Sequence, residues 1–157
     1  WIYHDHTSWF PGGGYNVQKL YRQHYAPMYL TSTSGTFRDL EDRRLFFDDI
    51  SQMKPEDWQP GTIDAIATSS EDGKHIVIKA VNYAGSPQIL LTRIQGSSIP
   101  ANAIVKTYTL NAGLEDAASL DEPDKIGSTV TTFPFEKDMA FTLAPYSVMV
   151  VEVLANL

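Results

Sequence analysis

Near the start of the chain, in WIYHDHTSWFPGGGY, His4 and His6 flank Asp5 inside a run of aromatic residues. Imidazoles and a carboxylate this close together could ligate a metal ion, activate a nucleophile or hydrogen-bond a polar substrate. Strand geometry weakens the metal reading, because His4 and His6 would point to opposite faces and leave a minimal ligand set. A nucleophilic role fares worse, since no partner Ser is identifiable and the chain has no cysteine. No metal and no cofactor is therefore expected. Gly12-Gly13-Gly14 could present backbone amides to an anion at a helix start. It lacks the Lys-Ser/Thr ending of a nucleotide loop and the spacing of a dinucleotide fingerprint, so it reads as a turn. The acidic pairs Glu41-Asp42, Asp48-Asp49 and Glu115-Asp116 lie in charged connecting stretches without an aromatic platform, and they read as solvated surface charge.

The elements that must position these residues fall into three parts. Trp1 to Tyr3 is a short apolar strand that leads through HDHTSWFPGGG into a helical pattern. Val17, Leu20, Tyr21 and His24 share one helical face, Asn16 is a candidate N-cap and Pro27 follows the end, which predicts a helix over Asn16–Tyr25. The segment 28–60 mixes TSTSGTF, RDLEDRR, LFFDDI and KPEDWQP, and reads as a connector anchored by Phe46, Phe47 and Trp58. From residue 61 the pattern turns to strands: GTIDAIATSS, KHIVIKAVNY, QILLTRI, AIVKTYTL, STVTTFPF, MAFTL and YSVMVVEVL, seven in all. Asp72-Gly73 marks a hairpin between the first two. In the second, Ile76, Ile78 and Ala80 form an apolar face, and His75, Val77, Lys79 and Val81 a mixed one. Short strands with turn signals and no intervening helices predict a mainly β fold, an antiparallel β-sandwich spanning 61–157, with Val148, Val150 and Val153 among its core residues.

Composition narrows the function classes. At 157 residues the chain fits one domain, and a net charge of −7 with no basic run longer than Arg43-Arg44 argues against nucleic-acid binding. Neutral substrates or protein partners suit such a surface better. No apolar stretch approaches the roughly 20 residues of a membrane span, so no membrane partner is expected. The absence of cysteine leaves the compartment open, intracellular or secreted. A chain opening at Trp1, inside an apolar run and without an initiator Met, reads as a fragment or a processed product.

Three stretches resemble, in order, the C-terminal domain of the family 51 glycoside hydrolases, the α-L-arabinofuranosidases. IVIKAVNYAG is similar to that family's strand ending in Val-Asn. YTLNAGLEDAASLDEPDKI is similar to its Leu-rich strand and the acidic turn that follows, and FTLAPYSVMVVEV to its closing Leu-Pro-Pro-Tyr-Ser-Val strand. At the front, GYNVQKLYRQHY resembles the family's Tyr-Tyr-Val-Gln-Lys-Leu-Phe helix, the last helix of a (β/α)8 catalytic barrel. Ala144 stands where the first of two prolines is common, Ala118 and Glu122 stand where asparagines are frequent, and the connector is longer and more charged than the family's pattern.

The resemblance implies a jelly-roll-like sandwich over 61–157, preceded by the last strand and helix of a truncated barrel over 1–27 and the connector 28–60. It implies a parent enzyme that removes terminal arabinofuranosyl groups from hemicellulose or arabinan with retention. Such chemistry needs two carboxylates about 5–5.5 Å apart. In the family both are glutamates upstream of the position of Trp1, so neither carries over and this polypeptide alone is expected to be inactive. His4, Asp5 and His6, with Trp9 nearby, would lie at the active-site face of the intact barrel as substrate-binding residues, and a purely structural strand end is the competing reading. The implied partners are the parent's catalytic barrel and, through it, an arabinose-containing saccharide. An independent carbohydrate-binding sandwich is the alternative, with Trp58, Tyr83 and Tyr108 as stacking platforms. Unpartnered apolar faces and an open sheet edge also predict self-association.

Overall fold

A computed structural model of the chain describes residues 2–4, 7–32, 62–96, 99–113 and 115–155. Strands dominate. A hairpin of β1 (Ile2–His4) and β2 (Trp9–Pro11) precedes helix α1 (Gly13–Gln23). An antiparallel sheet follows in the order β3-β4-β5-β10-β7-β8, built from Met28–Leu30, Ile63–Ser69, His75–Asn82, Ser147–Leu154, Ile104–Leu110 and Ser128–Pro134. A second sheet pairs β6 (Gln88–Arg93) with β9 (Asp138–Leu143). The seven strands expected beyond residue 61 correspond to β4 through β10.

Side-chain alternation explains how the two sheets meet. Ile76, Ile78 and Ala80 of β5, Val105 of β7 and Met149, Val151 and Val153 of β10 point one way. Met139, Phe141 and Leu143 of β9 meet them, and the residues form one buried cluster of the kind a β-sandwich encloses. The hairpin between β4 and β5 forms where Asp72-Gly73 predicts it. Gly73 takes φ +70°, and its amide donates to the Ser70 carbonyl at 3.0 Å.

The opposite face of the large sheet, read from the sequence of β5 as mixed, is buried as well. Val77 and Val150 are fully buried there, with Leu110, against Leu20 and Ala26 from the helical segment and Ile126 from the loop before β8. The local pattern looked mixed because the covering group comes from a helix more than fifty residues earlier, and strand periodicity carries no trace of such a partner. Two-sided burial makes β5 and β10 the interior of a three-layer arrangement, with each fully buried Val worth about 1.5–3 kcal/mol.

The helix itself begins earlier than predicted. Gly12, in extended backbone, is the N-cap, and Asn16 already lies inside the helix, its amide donating to the Gly12 carbonyl at 3.2 Å. Asn16 spends its side chain on a distant partner instead, Nδ2 donating to the Ile126 carbonyl at 2.8 Å. Two of the three glycines accordingly belong to the first turn, and the strand-to-helix turn shrinks to Gly12. At the other end, His24 closes the helix by donating its amide to the Leu20 carbonyl at 3.2 Å, with Pro27 shortly after. Val17, Leu20, Tyr21 and His24 do face inward together. Beyond them Met28–Leu30 pairs antiparallel with β4, so the sheet draws an edge strand from the segment read as connector. Phe46, Phe47 and Trp58 lie outside the described residues.

Candidate functional site

His4 ends β1 directly opposite Trp9 of β2. His4 is exposed, and Trp9 is 63% exposed. The structure therefore brings one of the predicted site residues beside the predicted aromatic neighbour on an open surface, while Asp5 and His6 lie outside the described residues. Among the described residues no group of three or more His, Asp or Glu side chains is arranged to hold a metal ion.

Of the acidic pairs, only Glu115-Asp116 is described. Asp116 accepts a hydrogen bond from the Gly113 amide at 2.7 Å and has Lys125 Nζ 3.5 Å away. That amide, with Lys125 second, holds its carboxyl below the ordinary carboxylate range, as suits a turn-forming residue. A depression of about 610 Å³ beyond β6 and β9 is lined by Ile94, Gln95, Gly96, Ile99, Ala101, Phe135 and Lys137, and no carboxylate stands among those residues.

The structure adds a titratable cluster that sequence reasoning missed. Glu152 sits on the helix-covered face of β10, and its side chain is only 10% exposed. Its Oε1 lies 2.9 Å from His24 Nδ1 of the helix C-cap and 3.2 Å from His75 Nε2 of β5. The His75 contact is a hydrogen bond; the approach to His24 lacks the alignment of one and acts through charge and dipole. Tyr108 of β7 packs on the His24 ring at a centroid distance of 3.9 Å. Burial, and after it the negative charge and hydrogen bonding of Glu152, raise the Tyr108 hydroxyl above its usual range. One signal was available in the sequence: Glu152 is the lone charge in the apolar run SVMVVEVL, at the parity of Val148 and Val150. The arrangement can tie a helix to a sheet. A second tie runs alongside it, where Lys79 Nζ donates to the Tyr21 carbonyl at 3.0 Å, and burial lowers the Lys79 ammonium from its usual value.

The stacking candidates separate on the same geometry. Tyr108 is committed to His24 and Glu152, Tyr83 is 52% exposed, and Trp58 lies outside the described residues. Tyr83 extends from β5 next to a rigid corner. There Asn82, fully buried, donates Nδ2 to the carbonyls of Ala144 at 2.8 Å and Ser86 at 3.0 Å and accepts from the Ala84 amide at 2.9 Å. Tyr146 completes that corner at φ 52°, its amide donating to the Ala84 carbonyl.

Comparison with known structures bears on the whole arrangement. An arabinose-bound GH51 α-L-arabinofuranosidase superposes over 99% of this chain and 21% of its own, with TM-score 0.71 and 18% identity. The fold is GH51-like. The α-L-arabinofuranosidase of Thermotoga maritima, in an arabinose complex, matches 97% of this chain and 31% of its own at TM-score 0.70 and 20% identity. The thermostable GH51 enzyme of Thermotoga petrophila gives the same coverage at TM-score 0.69 and 19% identity. This chain thus spans between a fifth and a third of the length of the structures it resembles. No family model matches the sequence, and no curated protein matches it.

Proposed function

We propose that this chain is the C-terminal, non-catalytic region of a retaining α-L-arabinofuranosidase that removes terminal arabinofuranosyl groups from hemicellulose or arabinan. Its division is the end of the catalytic barrel over 1–27, a connector over 28–60 and a jelly-roll-like sandwich over 61–157. The observation that carries the reading is the asymmetry of coverage: nearly all of this chain matches arabinofuranosidase structures, and it accounts for only 21–31% of them. The role is mechanical. The helix-covered face of the sheet, with Val77 and Val150 buried and Glu152 tied to His24, is how the sandwich supports the barrel's final helix. In the intact enzyme His4, Asp5 and His6 border the sugar pocket and hydrogen-bond sugar hydroxyls, and the two carboxylates that break the bond come from elsewhere in the parent.

The purified chain is expected to leave p-nitrophenyl α-L-arabinofuranoside unhydrolysed, and turnover that survives purification to homogeneity overturns the non-catalytic assignment. The coding sequence upstream of Trp1 is expected to encode a barrel with two strand-end glutamates; its absence there overturns the parentage. The exposure of Tyr83 supports a second reading, an independent sugar-binding module. Retardation in affinity electrophoresis on arabinoxylan or arabinan, lost in Tyr83→Ala, selects that reading over the first.

A further inference from the structure

Helix α1 starts without a side-chain cap of its own. Gly12, the N-cap, brings no side chain, and the first turn carries no acidic residue to meet its free amides. What fixes this start comes from the sandwich, in the loop between β7 and β8. Asn16 Nδ2 donates to the Ile126 carbonyl at 2.8 Å. Ile126 is buried with Leu20, and its Cδ1 abuts the first turn, 4.0 Å from where a Cβ on Gly13 would stand. Behind this contact the loop is braced. The Gly113 amide donates to Asp116 at 2.7 Å, the Glu122 amide to Ser119 Oγ at 3.1 Å and the Lys125 amide to the Glu122 carbonyl at 3.3 Å. A stiff part of the sandwich thus holds the helix start in place.

Position along the chain gives this clasp a consequence. Only Gly12 separates Pro11, the last residue of β2, from Gly13, the first of α1. His4 and Trp9, opposite each other on the β1–β2 hairpin, are therefore tied to whatever fixes the first turn. In a (β/α)8 enzyme the segment joining a strand's C-terminal end to its helix lies on the active-site face. We propose that Asn16 and Ile126 are positioning residues for the sugar site: through the first turn of α1, the sandwich loop sets where His4 and Trp9 stand toward the arabinofuranosyl group. This role rests on the arabinofuranosidase reading above, and adds to mechanical support an influence of the sandwich on substrate affinity.

Two measurements test the role: steady-state kinetics of the full-length protein that contains this chain, on p-nitrophenyl α-L-arabinofuranoside, and amide exchange of the 157-residue chain. Losing one hydrogen bond in Asn16→Ala should raise KM about two- to tenfold with kcat unchanged, the mark of binding lost equally in ground and transition states. Exchange in the first turn of α1 should quicken by a similar factor. Ile126→Val removes only the methyl that abuts Gly13, should raise KM by less, and serves if Asn16→Ala folds poorly. Gly73→Ala, at the distant β4–β5 hairpin, should lower stability and leave KM alone, as a merely structural role for Asn16 would. Unchanged KM in both Asn16→Ala and Ile126→Val overturns the proposal, as does unchanged first-turn exchange in Asn16→Ala. A full-length protein without arabinofuranosidase activity before any substitution overturns the underlying function, an outcome that the unsubstituted protein tells apart.

Discussion

Removing the Glu152 carboxylate should loosen α1 from the sheet. The Glu152 side chain is 10% exposed, so water poorly replaces the acceptor that Tyr108 and His75 lose there, although His75 at 29% exposure recovers part of its solvation. A buried donor left without an acceptor costs about 1–3 kcal/mol. Counting Tyr108 at about the lower figure and the more exposed His75 at a smaller share gives about 1–2 kcal/mol for Glu152→Ala. Glu152→Gln keeps the volume and one acceptor oxygen and should cost about half as much. Urea unfolding measures both, and a double-mutant cycle of Glu152→Gln with His75→Ala should return a coupling of about 0.5–1 kcal/mol, the low end of the range for contacting residues. Amide exchange adds locality: protection in α1 should fall more than in β6 or β9. A Glu152→Ala variant within about 0.5 kcal/mol of the parent, or α1 amides that exchange unchanged, would refute the idea that this carboxylate holds the helix.

Other parts of the fold give sharper single-site tests. Asn82→Ala removes two N–H donors shared among the carbonyls of Ser86, Leu143 and Ala144, and the acceptor of the Ala84 amide, at a fully buried corner, and should cost about 3 kcal/mol in urea unfolding, near the upper end for single substitutions. Gly73→Ala forces a Cβ into φ +70° with open space around it, so backbone strain alone acts and the thermal midpoint should drop by the equivalent of about 1 kcal/mol. Asp138 is held below the usual carboxylate range chiefly by its hydrogen bonds to Arg93, at 2.6 and 2.9 Å. A depressed folded value means that the pair's contribution is present above the unfolded carboxylate range and is lost as pH falls through the folded one. Because Asp138 is 43% exposed, the gap between the parent and Asp138→Asn should be under about 1 kcal/mol at neutral pH and should close in acid.

The strands were legible because each carries its own signal. The alternation of Ile76, Ile78 and Ala80 and the Asp72-Gly73 turn are written within a few residues, and β5 and its hairpin follow from them. What was not legible depends on partners far along the chain. Asn16 looked like a cap because capping is the local use of an asparagine; its side chain serves the Ile126 carbonyl, 110 residues on. β3 is too short to show a period, and only pairing with Ala67–Ser69 makes it a strand. The Glu152 cluster joins three strands and a helix, and one isolated charge was its sole trace. At the predicted site, His4 could be placed at a strand end by pattern, and its pairing with Trp9 needed the hairpin.

These long-range contacts bear on where the chain can be cut. The sequence places a boundary after residue 27, yet Leu20 and Ala26 share a buried cluster with Val77, Leu110 and Val150 of the sheet. Deleting 1–27 would uncover that face while leaving every strand from β3 to β10 in place. At about 1.5–3 kcal/mol for each large apolar side chain returned to water, Val77, Leu110 and Val150 alone forfeit about 5–9 kcal/mol. Extended-chain accounting overstates such sums, but the loss still rivals the whole stability of a domain, about 5–15 kcal/mol. The deleted chain should therefore be insoluble, or unfold at far lower urea concentration. A soluble 28–157 chain with a urea midpoint equal to the parent's would mean that α1 merely rests on the sheet. That outcome would remove the physical basis for reading the helix and the sandwich as one load-sharing unit.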